Sequence, residues 1–121
     1  MRRVIFIIVI FPFANFSFNK FENSILFKTT LTGINYKKAI FNNTLIIEPI
    51  IESNNTKLKE FFNNPKFKDF NSWFNGIKNQ NLSKEDIEKF ISIMEDIKRY
   101  SKYKKEAQET IEKLKKLLKD K

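Results

Sequence analysis

SILFKTTLTGINYKKAIFNNTLIIE, residues 24–48, decides the fold class. Within it Ser24–Thr32 alternates, with Ile25, Phe27, Thr29 and Leu31 on one side and Leu26, Lys28, Thr30 and Thr32 on the other. Gly33-Ile34-Asn35 supplies loop residues that tolerate positive φ. Tyr36–Phe41 and Thr44–Glu48 are two further β-prone runs, joined by Asn42-Asn43 in the manner of a two-residue hairpin. Pro49 then ends the ladder or sits at an edge. The expectation is a three-stranded antiparallel meander within residues 18–52. A sheet this small is marginal on its own and needs cover over its apolar face. An open edge of it would be a place for a partner strand.

The cover is expected from the C-terminal side. In residues 53–81, Thr56 follows a polar loop and is placed to cap a short helix carrying Leu58, Phe61 and Phe62, which Asn63-Asn64-Pro65 stops. A second short helix carries Phe67, Phe70, Trp73, Phe74 and Ile77, with Gly76 near its end. Interleaved with Lys66, Lys68 and Lys78, these rings have the makeup of a single-strand nucleic-acid platform. Aromatics at helical spacing more often form a core, and that is the reading preferred.

Residues 82–121 read as one long amphipathic helix. Ser83 is the N-cap, Glu85 and Asp86 complement the positive end of the helix dipole, and Leu82 and Ile87 can form a staple. Ile87, Phe90, Ile91, Met94 and Ile97 make a wide apolar stripe. Tyr100-Ser101-Lys102-Tyr103-Lys104-Lys105 interrupts it with a polar, basic stretch, after which Ala107, Ile111, Leu114 and Leu118 form a narrower, coiled-coil-like seam. An unbroken helix over this stretch would span roughly 50 Å. A domain of residues 18–121 would be only ~26 Å across. The helix must therefore bend near Tyr100–Tyr103 or project, and a projecting seam needs a protein partner or a second copy to cover it.

The N-terminus has a different character. Met1-Arg2-Arg3 is basic, Val4–Phe13 is an unbroken apolar run, and Ala14 and Ser17 are small. That order is the layout of an export signal over residues 1–17, cleaved after Ala14 or Ser17 or kept as an anchor. The run falls short of the ~20 residues that a transmembrane helix needs. The structural alternative is a buried parallel strand, since Val4–Phe11 is rich in β-branched residues.

Composition removes whole classes of chemistry. The 121 residues include no Cys and no His, so disulfides, thiolate chemistry, imidazole metal ligation and Ser-His-Asp catalysis are all excluded. Gly33 and Gly76 are the only glycines, too few for a phosphate-cradling loop. Carboxylate pairs such as Glu85/Glu88 and Glu95/Asp96 fit caps and i,i+4 partners of lysines better than a catalytic dyad. No catalytic residue, no metal and no cofactor are expected. The net charge is +9, carried by 20 Lys and only 3 Arg, in a chain also holding 14 Phe and 14 Asn. Such a bias follows AT-rich codons, so the charge reads first as a solvated lysine-rich surface and only second as a functional face.

The fold class expected is therefore α+β: a small antiparallel sheet packed by helices, ending in a long helix. The leading functional expectation is an exported, non-catalytic binding or assembly subunit of a bacterial envelope, periplasmic or secreted, docking through Ala107, Ile111, Leu114 and Leu118. The alternatives are a nucleic-acid-binding module using Lys102, Lys104, Lys105, Tyr100 and Tyr103, and a protein attached to an anionic membrane surface by the same helix.

Overall fold

The computed structural model describes residues 7–8, 20–29, 40–51 and 56–121. Its elements are β1 (Ile7–Ile8), β2 (Lys20–Glu22), β3 (Ile25–Phe27), β4 (Ile40–Asn42), β5 (Leu45–Ile47), α1 (Thr56–Phe62), α2 (Phe70–Lys78), α3 (Lys84–Tyr100) and α4 (Lys104–Lys119), with a 3-10 turn at Pro65–Lys68. The mixed helix-and-strand class holds. The chain divides into two compact units, Met1–Asp69 and Phe70–Lys121, with the boundary inside the aromatic-rich stretch 53–81.

Among the described residues of the first unit every strand pairing is parallel, which corrects the antiparallel meander. β2 runs beside β4 with Lys20, Phe21 and Glu22 opposite Ile40, Phe41 and Asn42. β3 runs beside β5 with Ile25, Leu26 and Phe27 opposite Leu45, Ile46 and Ile47. Both registers are offset by twenty residues, so the stretch Ile40–Ile47 lies alongside Lys20–Phe27 in parallel, as one turn laid on another. This is a short parallel solenoid. β1 adds a third strand at the other edge of β3, pairing Ile7 and Ile8 with Ile25 and Leu26.

The corners explain why no hairpin forms. Asn23, Lys28, Asn43 and Glu48 hold φ of 55, 51, 47 and 49°, one left-handed residue after each three-residue strand. A single such residue between extended neighbours turns the chain without reversing it, whereas a tight hairpin of the primed type I takes two in succession. Asn43 is therefore a corner, stacked over its equivalent: its Nδ2 donates to Asn23 Oδ1 at 2.9 Å. Backbone bonds tie successive turns at the corners too, Leu45 N–H to the Ser24 carbonyl (2.9 Å) and Lys28 N–H to that of Ile47 (3.0 Å). Pro49 does not end the ladder, because Ile50 N–H donates to the Thr29 carbonyl (3.0 Å). Tyr36–Ala39 and the Gly33-Ile34-Asn35 loop lie outside the described residues.

Left-handed φ at a lysine gives a check on this geometry. A β-branched side chain is far less tolerant of that region than glycine is. Lys28→Val is expected to lower stability by about 1–2 kcal/mol, while Lys28→Gly matches or slightly exceeds the native protein. Urea midpoints of the two variants test it; equal losses would mean that Lys28 does not turn a corner.

All three residues of β3 and of β5 are buried. Strands covered on both sides show continuous apolar runs rather than alternation, and ILF and LII are such runs. Phe21, Leu26 and Ile46 point into the coil, where Phe21 lies flat against Phe41 at 5.1 Å and 4°. The end of the solenoid is closed by α1 and the 3-10 turn. Leu58, Phe62 and Phe67 are buried in the same cluster, and Phe62 and Phe67 meet the Phe41 ring edge-on at 5.7 and 5.6 Å. Asn64 caps the turn by accepting from Lys66 N–H (3.0 Å), with Pro65 pre-setting its first residue. A repeat stack needs such a cap, because its last coil otherwise leaves an apolar face in water.

The second unit is helical. Ser83 caps α3, its Oγ accepting from Asp86 N–H at 3.1 Å. The single long helix expected over residues 82–121 is instead two helices broken at Ser101. The Ser101 hydroxyl donates to the Ile97 carbonyl (2.6 Å) and accepts from Tyr103 N–H (3.0 Å), an alternative partner set that ends α3 and restarts the chain two residues on. α4 then folds back along α3, and α2 packs against α4. Trp73 meets Phe90 edge-on at 5.0 Å. The buried stripe of α3 includes Ile93, which the sequence reading passed over, while Ile91 is half-buried.

Candidate functional site

Three sets of residues stood as candidates, and the structure treats them differently. The seam of α4 is used inside its own unit: Ala107, Ile111 and Leu114 are buried and Leu118 is half-buried. The sequence left two outcomes, a bend near Tyr100–Tyr103 or a projecting helix whose seam meets a partner or a second copy. The chain takes the bend: α4 folds back at Ser101, and α3 covers the seam from within the same unit.

The aromatic cluster is likewise interior. Phe67 belongs to the core of the first unit, and Phe70, Trp73, Phe74 and Ile77 line the buried face of α2. None of these rings is a platform open to a base. Lys113 closes one side of the α2 face, its Nζ 2.7 Å from Asn71 Oδ1 and 5.8 Å from the centre of the Phe74 ring.

Lys102, Lys104, Lys105, Tyr100 and Tyr103 are brought together at the turn between α3 and α4. The three lysines and Tyr100 are exposed, and Tyr103 is half-buried. Two further cations join them from the last turn of α3, Lys98 and Arg99, both exposed. From Lys98 to Lys105 the chain carries five cations and no carboxylate. Sequence reasoning missed Lys98 and Arg99 because it opened the basic stretch at Tyr100; counting charge from the end of the apolar stripe at Ile97 would have found them.

Each part of this turn has a local cause. Lys98 and Arg99 sit where a helix C-terminus favours positive charge. Lys104 Nζ donates to the Lys98 carbonyl at 3.3 Å, satisfying a backbone group that the helix end leaves open. Tyr103 packs on Phe70 at 5.8 Å and carries Lys102 Nζ 5.4 Å above its ring, so it holds the turn against the unit. Tyr100 is different. It is 54% exposed, and Arg99 lies 5.8 Å from the centre of its ring.

The electrostatics are uneven along α4. Lys104 and Lys105 occupy its first turn, where the only acidic residue is Glu106. Cations at a helix N-terminus oppose the dipole, at a cost of some tenths of a kcal/mol each. Helix stability therefore does not explain these two lysines. Among the described residues no group of three or more acidic, His or Cys side chains is placed to hold a metal. Among them also, no helix is long and apolar enough to cross a membrane.

No protein-family model, no curated protein and no solved structure matches the chain.

Proposed function

We propose that this chain is a non-catalytic binding protein, and that it takes a polyanionic partner on the basic turn between α3 and α4. The observation that carries the reading is the run of five exposed cations from Lys98 to Lys105, a stretch of sequence with no Asp or Glu in it, two of them placed against the dipole of the helix they begin. Charge of one sign gathered at the end of a rigid hairpin attracts and orients a polyanion at long range. Of the seam residues Ala107, Ile111 and Leu114 are buried within the unit, and Leu118 is half-buried.

Retention on immobilised heparin tests this. The native protein is expected to bind at low salt, and a Lys102→Gln/Lys104→Gln/Lys105→Gln variant to elute at clearly lower salt. The lysines are exposed, so the variant keeps its fold. Co-elution of the two proteins would place the binding elsewhere on a chain of net charge +9 and overturn the proposal.

Place of action is a separate proposal. The basic, apolar, small order of residues 1–17 supports export, whereas the pairing of Ile7–Ile8 with Ile25–Leu26 supports keeping the segment in the fold. The rest of that segment lies outside the described residues. N-terminal sequencing of the native protein separates the two outcomes: a first residue of Asn15 or Phe18 signifies export, and Met1 keeps β1 in its sheet.

A further inference from the structure

We infer that the polyanion is single-stranded nucleic acid and that Tyr100 is the surface on which one of its bases stacks; this rests on reading the basic turn as a polyanion site. Tyr100 is the feature that a simple cation patch does not require. The large apolar side chains exposed among the described residues are Ile40, Ile50 and Tyr100, and Tyr100 alone of these belongs to the helical unit. Most described aromatic residues are packed: Phe70, Trp73, Phe74 and Phe90 in this unit, and Phe21, Phe62 and Phe67 in the other. Tyr103, three residues away, shows what a structural tyrosine looks like here, half-buried and set against Phe70. Tyr100 stands in water beside Arg99 instead.

An exposed ring flanked in the chain by Lys98 and Arg99 on one side and Lys102, Lys104 and Lys105 on the other has the parts that bind a single strand. Bases stack on the ring, and phosphates on either side meet ammonium groups. The stacking tolerates any base, because every base has a π-face. The composition agrees: one arginine in the patch, laid against Tyr100, leaves little of the forked bidentate recognition by which duplex sequences are read. A paired base is also shielded from stacking on a side chain.

A lipid surface would also attract these cations, but it requires an apolar face to bury in the bilayer. The apolar faces of α3 and α4 are turned into the unit, where Ile87, Phe90, Ile93, Met94, Ile97, Ile111 and Leu114 are buried. What the turn offers outward is charge and one aromatic ring.

The test uses fluorescence anisotropy of the full chain with a labelled oligo(dT), a duplex of the same length, and liposomes containing phosphatidylserine. Oligo(dT) is expected to bind more tightly than the duplex, and the liposomes not to compete. Tyr100→Ala should weaken oligo(dT) binding about ten-fold and Tyr100→Phe restore it, with heparin retention unchanged in both. The triple lysine variant should lower the slope of log affinity against log salt by about 2. If Tyr100→Ala binds oligo(dT) as the native protein does, or the duplex or liposomes bind as well as the single strand, the inference is overturned while the polyanion reading stands. If the lysine variant loses nothing on heparin, the polyanion reading itself is what fails. Unchanged Trp73 emission in each variant shows that the helical unit is intact.

Discussion

Leu114→Asp is expected to unfold the helical unit. Leu114 is fully buried in α4, so the substitution removes an apolar side chain from the core and leaves a carboxylate in its place. The lost packing alone is worth about 2–5 kcal/mol. The new group must either be desolvated as a charge or take up a proton, and each adds further cost. A unit of this size has only a few kcal/mol in reserve. The chain's single tryptophan gives a direct readout, because Trp73 is 2% exposed and lies against Phe90 in the same unit. Its emission is expected to shift to the red and its near-ultraviolet circular dichroism to vanish. Leu118→Asp, at a half-buried position one turn further on, is expected to cost under about 1 kcal/mol and to leave the emission unchanged. A seam that served to dock a second copy would behave otherwise: Leu114→Asp would give a folded monomer with native emission. That result would mean that α4 does not fold back along α3.

The contrast between these outcomes shows what an amphipathic pattern conveys. Ala107, Ile111, Leu114 and Leu118 state that one side of the helix must be covered, and nothing in their spacing says by what. The covering surface was decided by Ser101, whose hydroxyl bonds Ile97 and Tyr103 and so folds the chain back. The interruption at Tyr100–Lys105 was legible, as were the Ser83 cap and the buried faces of α2 and α3, because helix signals are local and repeat over several turns. The five residues of the basic turn were legible for the same reason. Their completion by Lys98 and Arg99, contiguous with them in the chain, was passed over because the basic stretch was begun at Tyr100.

The solenoid was illegible to a reading made strand by strand. Its strands are two or three residues long, too short to separate alternation from a continuous apolar run. Asn42-Asn43 looked like a hairpin because a corner and a hairpin both draw on the readiness of asparagine for positive φ. The distinguishing signal was present at longer range. Phe21, Asn23, Ser24, Ile25 and Leu26 recur as Phe41, Asn43, Thr44, Leu45 and Ile46, twenty residues on, which is the period of the observed register. Self-similarity of that kind marks stacked coils and has no place in a meander.

Stacked coils make the capping residues decisive, and Phe62→Ala is expected to cost about 3–5 kcal/mol. Phe62 is fully buried, edge-on to Phe41 at 5.7 Å and to Phe61 at 4.9 Å, in the cluster that holds Phe21, Leu26 and Ile46. Removing the ring opens a cavity where the last coil meets its cap, and neighbouring aromatic side chains are too stiff to fill it. The loss should appear first in the hydrogen bonds between coils. Hydrogen exchange at Leu45, whose N–H is held by the Ser24 carbonyl, and at Lys28, held by that of Ile47, reads it directly. Both amides are expected to lose most of their protection. Phe61→Ala, at a half-buried ring in the same helix, should cost less than half as much, because less surface leaves the core. Phe62→Leu should recover part of the loss by restoring volume without the ring. Full protection of Leu45 and Lys28 in Phe62→Ala would show that the coils hold without their cap. In that event α1 would be an appendage of the solenoid and not part of its core.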